Sequence, residues 1–336
     1  MNVVEWGRFI APAGASAALD YMKRNLLSIH GRRSRLSAIA GRVRIPGRAM
    51  EIDGHPALEL ARAFAPAGGS QWIVLRDYAG LRQRNLVFLF DAGGGMTRVV
   101  KTRPVDAPGQ SLRVEADALR LIREQVDTDL QRTMPEVLAF AIRGAHEVMA
   151  LSALPGRPLD ISMQRSLRPR VSHRGHLAAA GAWLGRLHAA TRNGPQTAVH
   201  GDFWTRNLLF AGTDLVGVVD WEGALPAGER WEDLFTLPLL YATAAPVWFR
   251  REPLRDFEAA FTGRGGVAAA VSGYFAAYSA QTGIDQRAIR GAFESYLADQ
   301  ESRGKHEETQ WKTRYSWKTM LRIVQSSRDS VFSASA

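Results

Sequence analysis

At Pro155 the chain changes its hydrophobic period, and nothing else in its 336 residues limits the architecture as strongly. Before the turn "PGRPL" (155–159), apolar and branched runs of strand length lie between turn signals. They are "QWIVLRDYAG" from Gln71, "NLVFLFD" from Asn85, "MTRVVKTR" from Met96, "EVLAFAIRG" from Glu136 and "HEVMALSAL" from His146. Runs of this kind predict an antiparallel meander with two further strands. One helix interrupts them, because Val114, Ala118, Leu121 and Ile122 fall at i, i+4, i+7 and i+8. Leu119 and Val126 widen that stripe toward Glu115, which is expected at the border of the buried face. Beyond the turn the period is helical, with Leu177, Ala180, Leu184 and Leu187 on one face and Trp183 beside them. The expectation is an α+β chain of two lobes, a small antiparallel-sheet lobe over 66–154 and a larger, mainly helical lobe over 155–336.

Residues 1–65 read as a basic, partly helical extension in which Pro and Gly break any periodicity. Between Tyr21 and Met50 it carries Lys23, Arg24, Arg32, Arg33, Arg35, Arg42, Arg44 and Arg48 with no acid, in a chain of net charge +10. Two readings stand side by side: weak contact with an anionic surface, or an arginine-rich composition that decorates every face. No nucleic-acid motif is recognisable and aromatic residues are sparse in the segment, so no specific nucleic acid is expected.

The absence of cysteine excludes disulfides, thiolate zinc sites and cysteine nucleophiles, and it fits a reducing compartment. "MNVVEWGRFIAPAGASA" makes a poor signal peptide, since charges and a proline break its short apolar patch. The uncharged stretch Gly265–Ile284 is rich in Ala, Ser and Gly, whose small transfer energy suits a packed helix better than a membrane span. The expected location is the cytoplasm.

The chemistry concentrates at "VHGDFWTRNLLF" (199–210). "NLLF" and "LVGVVD" bracket the turn "AGTD" as a short hairpin, so Asp202 and Asn207 precede its first strand and Asp220 ends its second. Three polar groups thus arrive at one end of a small sheet. Either Asp202 or Asn207 alone is a residue that caps loops by bonding local backbone.

Through "HGDFWTRN" and "VVDWE" the chain resembles the aminoglycoside phosphotransferase and choline kinase family, small-molecule kinases of the protein-kinase-like bilobal fold. The resemblance spans about Gln71 to Leu240. It implies an ATP-dependent transfer of the γ-phosphoryl group to a hydroxyl of a small molecule. Asp202 would take the hydroxyl proton, and Asn207 and Asp220 would hold Mg2+ through oxygen. His200 would brace the loop and leave the base role to the carboxylate. Glu222 would assist the metal or face the substrate, and Asp233 in "RWEDLFTL" would support the catalytic loop; a surface or capping role stands open for both.

By analogy with the strand-lysine and helix-glutamate pair of kinases, Lys101 would reach the nucleotide phosphates with Glu115 as its partner. Surface solvation is the other reading of Lys101. Gly93–Gly95 links two strands, so the candidate phosphate loop is Gly80 to Asn85, which carries one glycine where protein kinases carry three. The connector "MALSALPGRPL" resembles the family hinge, where backbone groups of Ser152 to Leu154 would meet adenine; an ordinary strand end is the alternative. Trp204 stands where protein kinases carry lysine, and Asp220 is followed by Trp221 and Glu222, which favours a small acceptor over a protein.

The substrate expectation is a sugar, an amino alcohol or an anionic or related metabolite. An aminoglycoside is less favoured, because this basic chain shows no dense acidic run in its C-terminal half. Two other functions remain in view: a catalytically silent nucleotide-binding scaffold, and a basic arm that binds anionic lipid or nucleic acid.

Overall fold

The computed structural model describes residues 2–6, 9–12, 21, 48–51, 71–76, 84–160, 173–243, 253–263, 265–302, 316–327 and 331–332. Gly80 and the basic residues Lys23 to Arg44 lie outside the described residues. The chain forms two compact units, one of Met1–Leu121 with Met134–Pro155 and one of Ile122–Thr133 with Gly156–Ala336.

The first unit is built on an antiparallel sheet. Its strands are β1 (Asn2–Trp6), β2 (Phe9–Pro12), β3 (Arg48–Glu51), β4 (Gln71–Arg76), β5 (Asn85–Phe90), β6 (Met96–Pro104), β7 (Val137–Arg143) and β8 (His146–Ser152). Their order across the sheet is β3-β1-β2-β4-β5-β6-β8-β7. The meander β4–β5–β6 follows the sequence reading, and β8 pairs with β6 so that Lys101 lies opposite Met149 on one side and Leu86 on the other. Gly93–Gly95 turns β5 into β6, with Gly94 at φ 84° and the Asp91 carboxylate accepting from the Gly95 N–H at 2.9 Å. Residues expected only as a partly helical extension supply β1, β2 and β3. Their short runs, separated by proline and glycine, carry too little alternation to stand out.

Helix α1 (Leu112–Gln125) lies where predicted but is rotated from the predicted phase. Val114 and Leu121, placed on the core stripe from periodicity, are 50% and 49% exposed. The buried face is Leu112, Glu115, Ala116, Ala118, Leu119 and Ile122, with Val126 beyond the helix end. A buried Glu displaces two apolar residues because it has a buried cationic partner, without which a charge in that position is prohibitive. The helix start is held by Glu147 of β8, which accepts from the Ser111 hydroxyl at 2.6 Å and the Leu112 N–H at 2.7 Å. An acid at a helix N-terminus satisfies an orphan donor and opposes the positive end of the helix dipole.

The second unit is mainly helical. It contains α2 (Thr128–Arg132), α3 (Arg174–Ala190), α4 (Trp231–Thr243), α5 (Pro253–Phe261), α6 (Gly266–Thr282), α7 (Gln286–Ser302) and α8 (Trp317–Ser326). Two small sheets sit among them: β9 (Arg157–Pro158), β11 (Leu208–Ala211) and β12 (Asp214–Val218) in one, β10 (Thr197–Val199) and β13 (Leu225–Gly228) in the other. The predicted α3 face, Leu177, Ala180, Trp183, Leu184 and Leu187, is buried throughout. Helix α3 crosses α6 closely because Gly181 and Gly185 face it; a Cβ at Gly181 would run into the Tyr274 carbonyl oxygen. Phe235, Phe257, Phe261, Phe275, Phe293 and Phe332 form an aromatic core among α4, α5, α6 and α7. Among the described residues no helix is long and apolar enough to cross a membrane, and α6, over the uncharged stretch, has a buried face that includes Val271, Tyr274 and Phe275.

The class is therefore the expected α+β, with the antiparallel sheet in one unit and most helices in the other.

Candidate active site

Strand β10 ends at Val199, and after His200 the chain turns through Gly201 with φ 80°. A side chain there would meet both an unfavourable backbone conformation and the Gly223 carbonyl oxygen, so glycine allows the loop after β10 to lie against the loop after Asp220. Asp233, in the first turn of α4, is fully buried beneath this loop. Its two carboxylate oxygens accept from the His200 N–H at 2.5 Å and the Gly201 N–H at 2.9 Å. Burial raises the Asp233 carboxyl more than the two N–H donors lower it, and with the negative charges of Glu232 and Asp202 also raising it the carboxyl is pushed up to about 7.

His200 is a brace. Its Nδ1 accepts from the Asp202 N–H at 3.2 Å and its Nε2 lies 3.0 Å from the Val219 carbonyl oxygen. A backbone N–H only donates and a carbonyl only accepts, so the ring carries its proton on Nε2 and is neutral. Trp221 covers the ring at 4.6 Å between centroids.

The side chains of Asp202 and Asn207 meet directly. Asn207 Nδ2 donates to the Asp202 carbonyl oxygen and to Asp202 Oδ2, both at 2.9 Å. Both bonds use the amide nitrogen, which leaves the Asn207 carbonyl as the oxygen donor of that side chain. Trp204 Nε1 donates to the same Oδ2 at 3.2 Å. Asn207 joins Asp220 through the hairpin: the Val219 N–H donates to the main-chain oxygen of Asn207 at 2.9 Å, so Asp220 follows the paired residue. Asp220 has φ 66°, the only positive φ at a non-glycine residue among those described. This conformation costs an L-residue roughly 1–2 kcal/mol, and short polar side chains tolerate it best. Glu222 lies in the turn after Asp220, between Trp221 and Gly223.

In the first unit, Lys101 on β6 and Glu115 on α1 form a buried ion pair, Nζ to Oε1 2.6 Å. The cap from Glu147 sets the start of α1 one turn before Glu115, which delivers that carboxylate to the strand. Sequence reasoning missed Glu147, whose local signal is only an acid within an apolar strand run, because the helix start it caps lies 35 residues earlier. At the connector, the Ser152 N–H donates to Glu136 O at 2.9 Å and the Ala153 N–H to Thr97 O at 3.2 Å. Of the N–H groups at Ser152, Ala153 and Leu154, only that of Leu154 forms no hydrogen bond among the described residues.

A metal at the Asp202 loop would have oxygen donors from Asn207 and Asp220. Among the described residues no group of three or more His, Cys, Asp or Glu residues could hold a metal ion. Two hard oxygen donors suit Mg2+, which keeps several waters and takes further ligands from substrate phosphates.

A sequence model of the APH phosphotransferase enzyme family matches residues 106–274, a span that includes Glu115, Asp202, Asn207, Asp220 and Asp233 and begins after Lys101. Among curated proteins none matches the chain. Among solved structures the chain is similar to macrolide 2'-phosphotransferase MphH from Brachybacterium faecium, at 14% identity and TM-score 0.43, over 76% of this chain and 92% of that one. It is also similar to aminoglycoside phosphotransferase APH(3'')-Id from Streptomyces rimosus, at 15% identity and TM-score 0.42, over 82% and 99% of the two chains. With the family match covering half of its length, the chain belongs to the phosphotransferase enzyme family.

Proposed function

We propose that the protein is an ATP-dependent O-phosphotransferase acting on a small hydroxylated molecule. The observation that carries this reading is the direct tether between Asn207 Nδ2 and Asp202 Oδ2, which holds a carboxylate and an oxygen donor side by side. Asp202 takes the proton from the acceptor hydroxyl as its oxygen attacks the γ-phosphorus. The bond from that phosphorus to the β,γ-bridging oxygen breaks, and ADP leaves with the electron pair. Asn207 and Asp220 would hold Mg2+, which when bound neutralises charge on the phosphate oxygens. His200, Gly201 and Asp233 keep the base in place, and Trp204 and Asn207 set the direction of its carboxylate. Lys101, positioned by Glu115, binds the nonterminal phosphates of the nucleotide, and the Leu154 main chain, following Ser152, meets the adenine edge.

The test is ADP release from ATP and Mg2+ with a panel of hydroxyl acceptors. Asp202→Ala lowers turnover by roughly a hundredfold or more, the scale of a lost general base. Equal turnover in the two proteins rejects the assignment.

A further inference from the structure

Beside Asp202 lies a cation that the phosphoryl-transfer reading does not use. Arg206 precedes Asn207 in the chain, and its guanidinium carbon stands 4.6 Å from the centre of the Trp204 ring. The same indole donates its N–H to Asp202 Oδ2 at 3.2 Å. One aromatic plane therefore joins the base at its edge to a positive charge on its face. Arg206 Nε faces Asp160 Oδ2 at 3.6 Å, longer than a hydrogen bond, with the two side chains 43% and 13% exposed. Among the described residues the Arg206 guanidinium makes no hydrogen bond, so its two Nη groups form an open fork that the indole holds in orientation. A planar fork of N–H donors matches the oxygens of a carboxylate or phosphate bidentately, and stacking reduces the freedom lost when it binds.

We infer that Arg206 is a specificity residue, reading an acidic group, carboxylate or phosphate, that the acceptor carries a few bonds from its reactive hydroxyl. The inference rests on the phosphotransferase reading and names the substrate class of that same site. An anionic acceptor must approach the Asp202 carboxylate and a triphosphate, and Arg206 offsets part of that repulsion. Arg206 disfavours a cationic group only at its own position, where a carboxylate or phosphate is favoured. The indole has a separate duty, since its N–H positions Asp202 whatever the acceptor.

The experiment compares acceptors matched except for the acid: glycerol with glycerate and glycerol 3-phosphate, glucose with gluconate, and an aminoglycoside as the polycation. In the wild type, kcat/KM is higher for at least one acid than for its uncharged partner. Arg206→Gln shrinks that advantage by about ten- to a hundredfold, the worth of a charge-assisted hydrogen bond, mainly through KM. Arg206→Lys keeps the charge without the fork and falls between. Trp204→Phe keeps the ring under Arg206 but removes the N–H, so it lowers kcat on every acceptor and preserves the preference for the acid. Transfer to uncharged or cationic acceptors with no acid advantage overturns the inference alone. So does an Arg206→Gln protein that loses kcat equally on all acceptors, which would assign Arg206 to the transferred phosphate. Absence of Asp202-dependent ADP release with every acceptor overturns the phosphotransferase reading, and this inference with it.

Discussion

The side-chain amide of Asn207 grips Asp202 twice, donating 2.9 Å hydrogen bonds to its main-chain oxygen and to its carboxylate. Asn207→Asp removes both donors and sets a second carboxylate against the first. Like charges at that distance oppose ionisation of the pair, so the base acquires its charge only at higher pH. Turnover at neutral pH is expected to fall by about a hundredfold or more, with the acidic limb of the pH–rate profile moved upward. An unmoved limb with wild-type turnover would dissociate Asn207 from the base.

Lys101 and Glu115 are buried together, so removing one strands the other. Lys101→Met is expected to cost about 3–5 kcal/mol of stability by urea unfolding, because Glu115 is left charged and unpaired. The double variant Lys101→Met with Glu115→Leu recovers most of that stability and none of the activity. Recovery of both would reduce the pair to a structural role.

Asp233 links loop geometry to pH. Its folded carboxyl titrates at about 7 against an ordinary value of 3.8, so between those values the folded state holds a proton that the unfolded state has lost. The contribution of this group to stability is greatest below 3.8 and is lost as pH rises through about 7. Asp233→Asn abolishes that titration and replaces one acceptor oxygen with an NH2 donor facing a backbone N–H, at a cost of about 1–3 kcal/mol. The wild-type advantage in thermal midpoint is expected to narrow from pH 4 to pH 8. A widening advantage would contradict the assignment.

Gly201 tests the contact between the loop after β10 and the loop after Asp220. Gly201→Ala places a Cβ against the Gly223 carbonyl at a positive φ, so the loop must shift away from Asp233. The expected result is a loss of turnover of at least about tenfold, since small misplacements near reacting groups are costly. Near-UV circular dichroism should show a change confined to aromatic signals, including that of Trp221 packed on His200. Wild-type kinetics would mean that the loops tolerate separation.

The hairpin carrying Asn207 and Asp220, the meander carrying Lys101 and the buried face of α3 were all readable from local pattern. In each, turn residues and apolar spacing act over a few neighbours and agree with one another. Asp233 was recognisable as a candidate support, but its two hydrogen bonds reach back 33 and 32 positions, beyond any local rule. Glu147 was invisible for the same reason, since its partner Leu112 lies 35 residues away.

Residue order alone indicates strand for β4 to β8 and helix for α1 and α3, because those preferences depend on side-chain shape and spacing along one chain, whereas the short runs of β1 to β3 escape it. It leaves open which side of α1 turns inward. Val114 and Leu121 have the stronger apolar claim, yet Glu115 takes the interior because Lys101 of a separate strand meets it there at 2.6 Å. Order likewise places Trp204 and Arg206 two positions apart without revealing that the indole bonds the Asp202 carboxylate and carries the guanidinium on its face. Such pairings come from three-dimensional assembly, where the free energy of a buried charge or an oriented cation depends on what the rest of the fold sets against it.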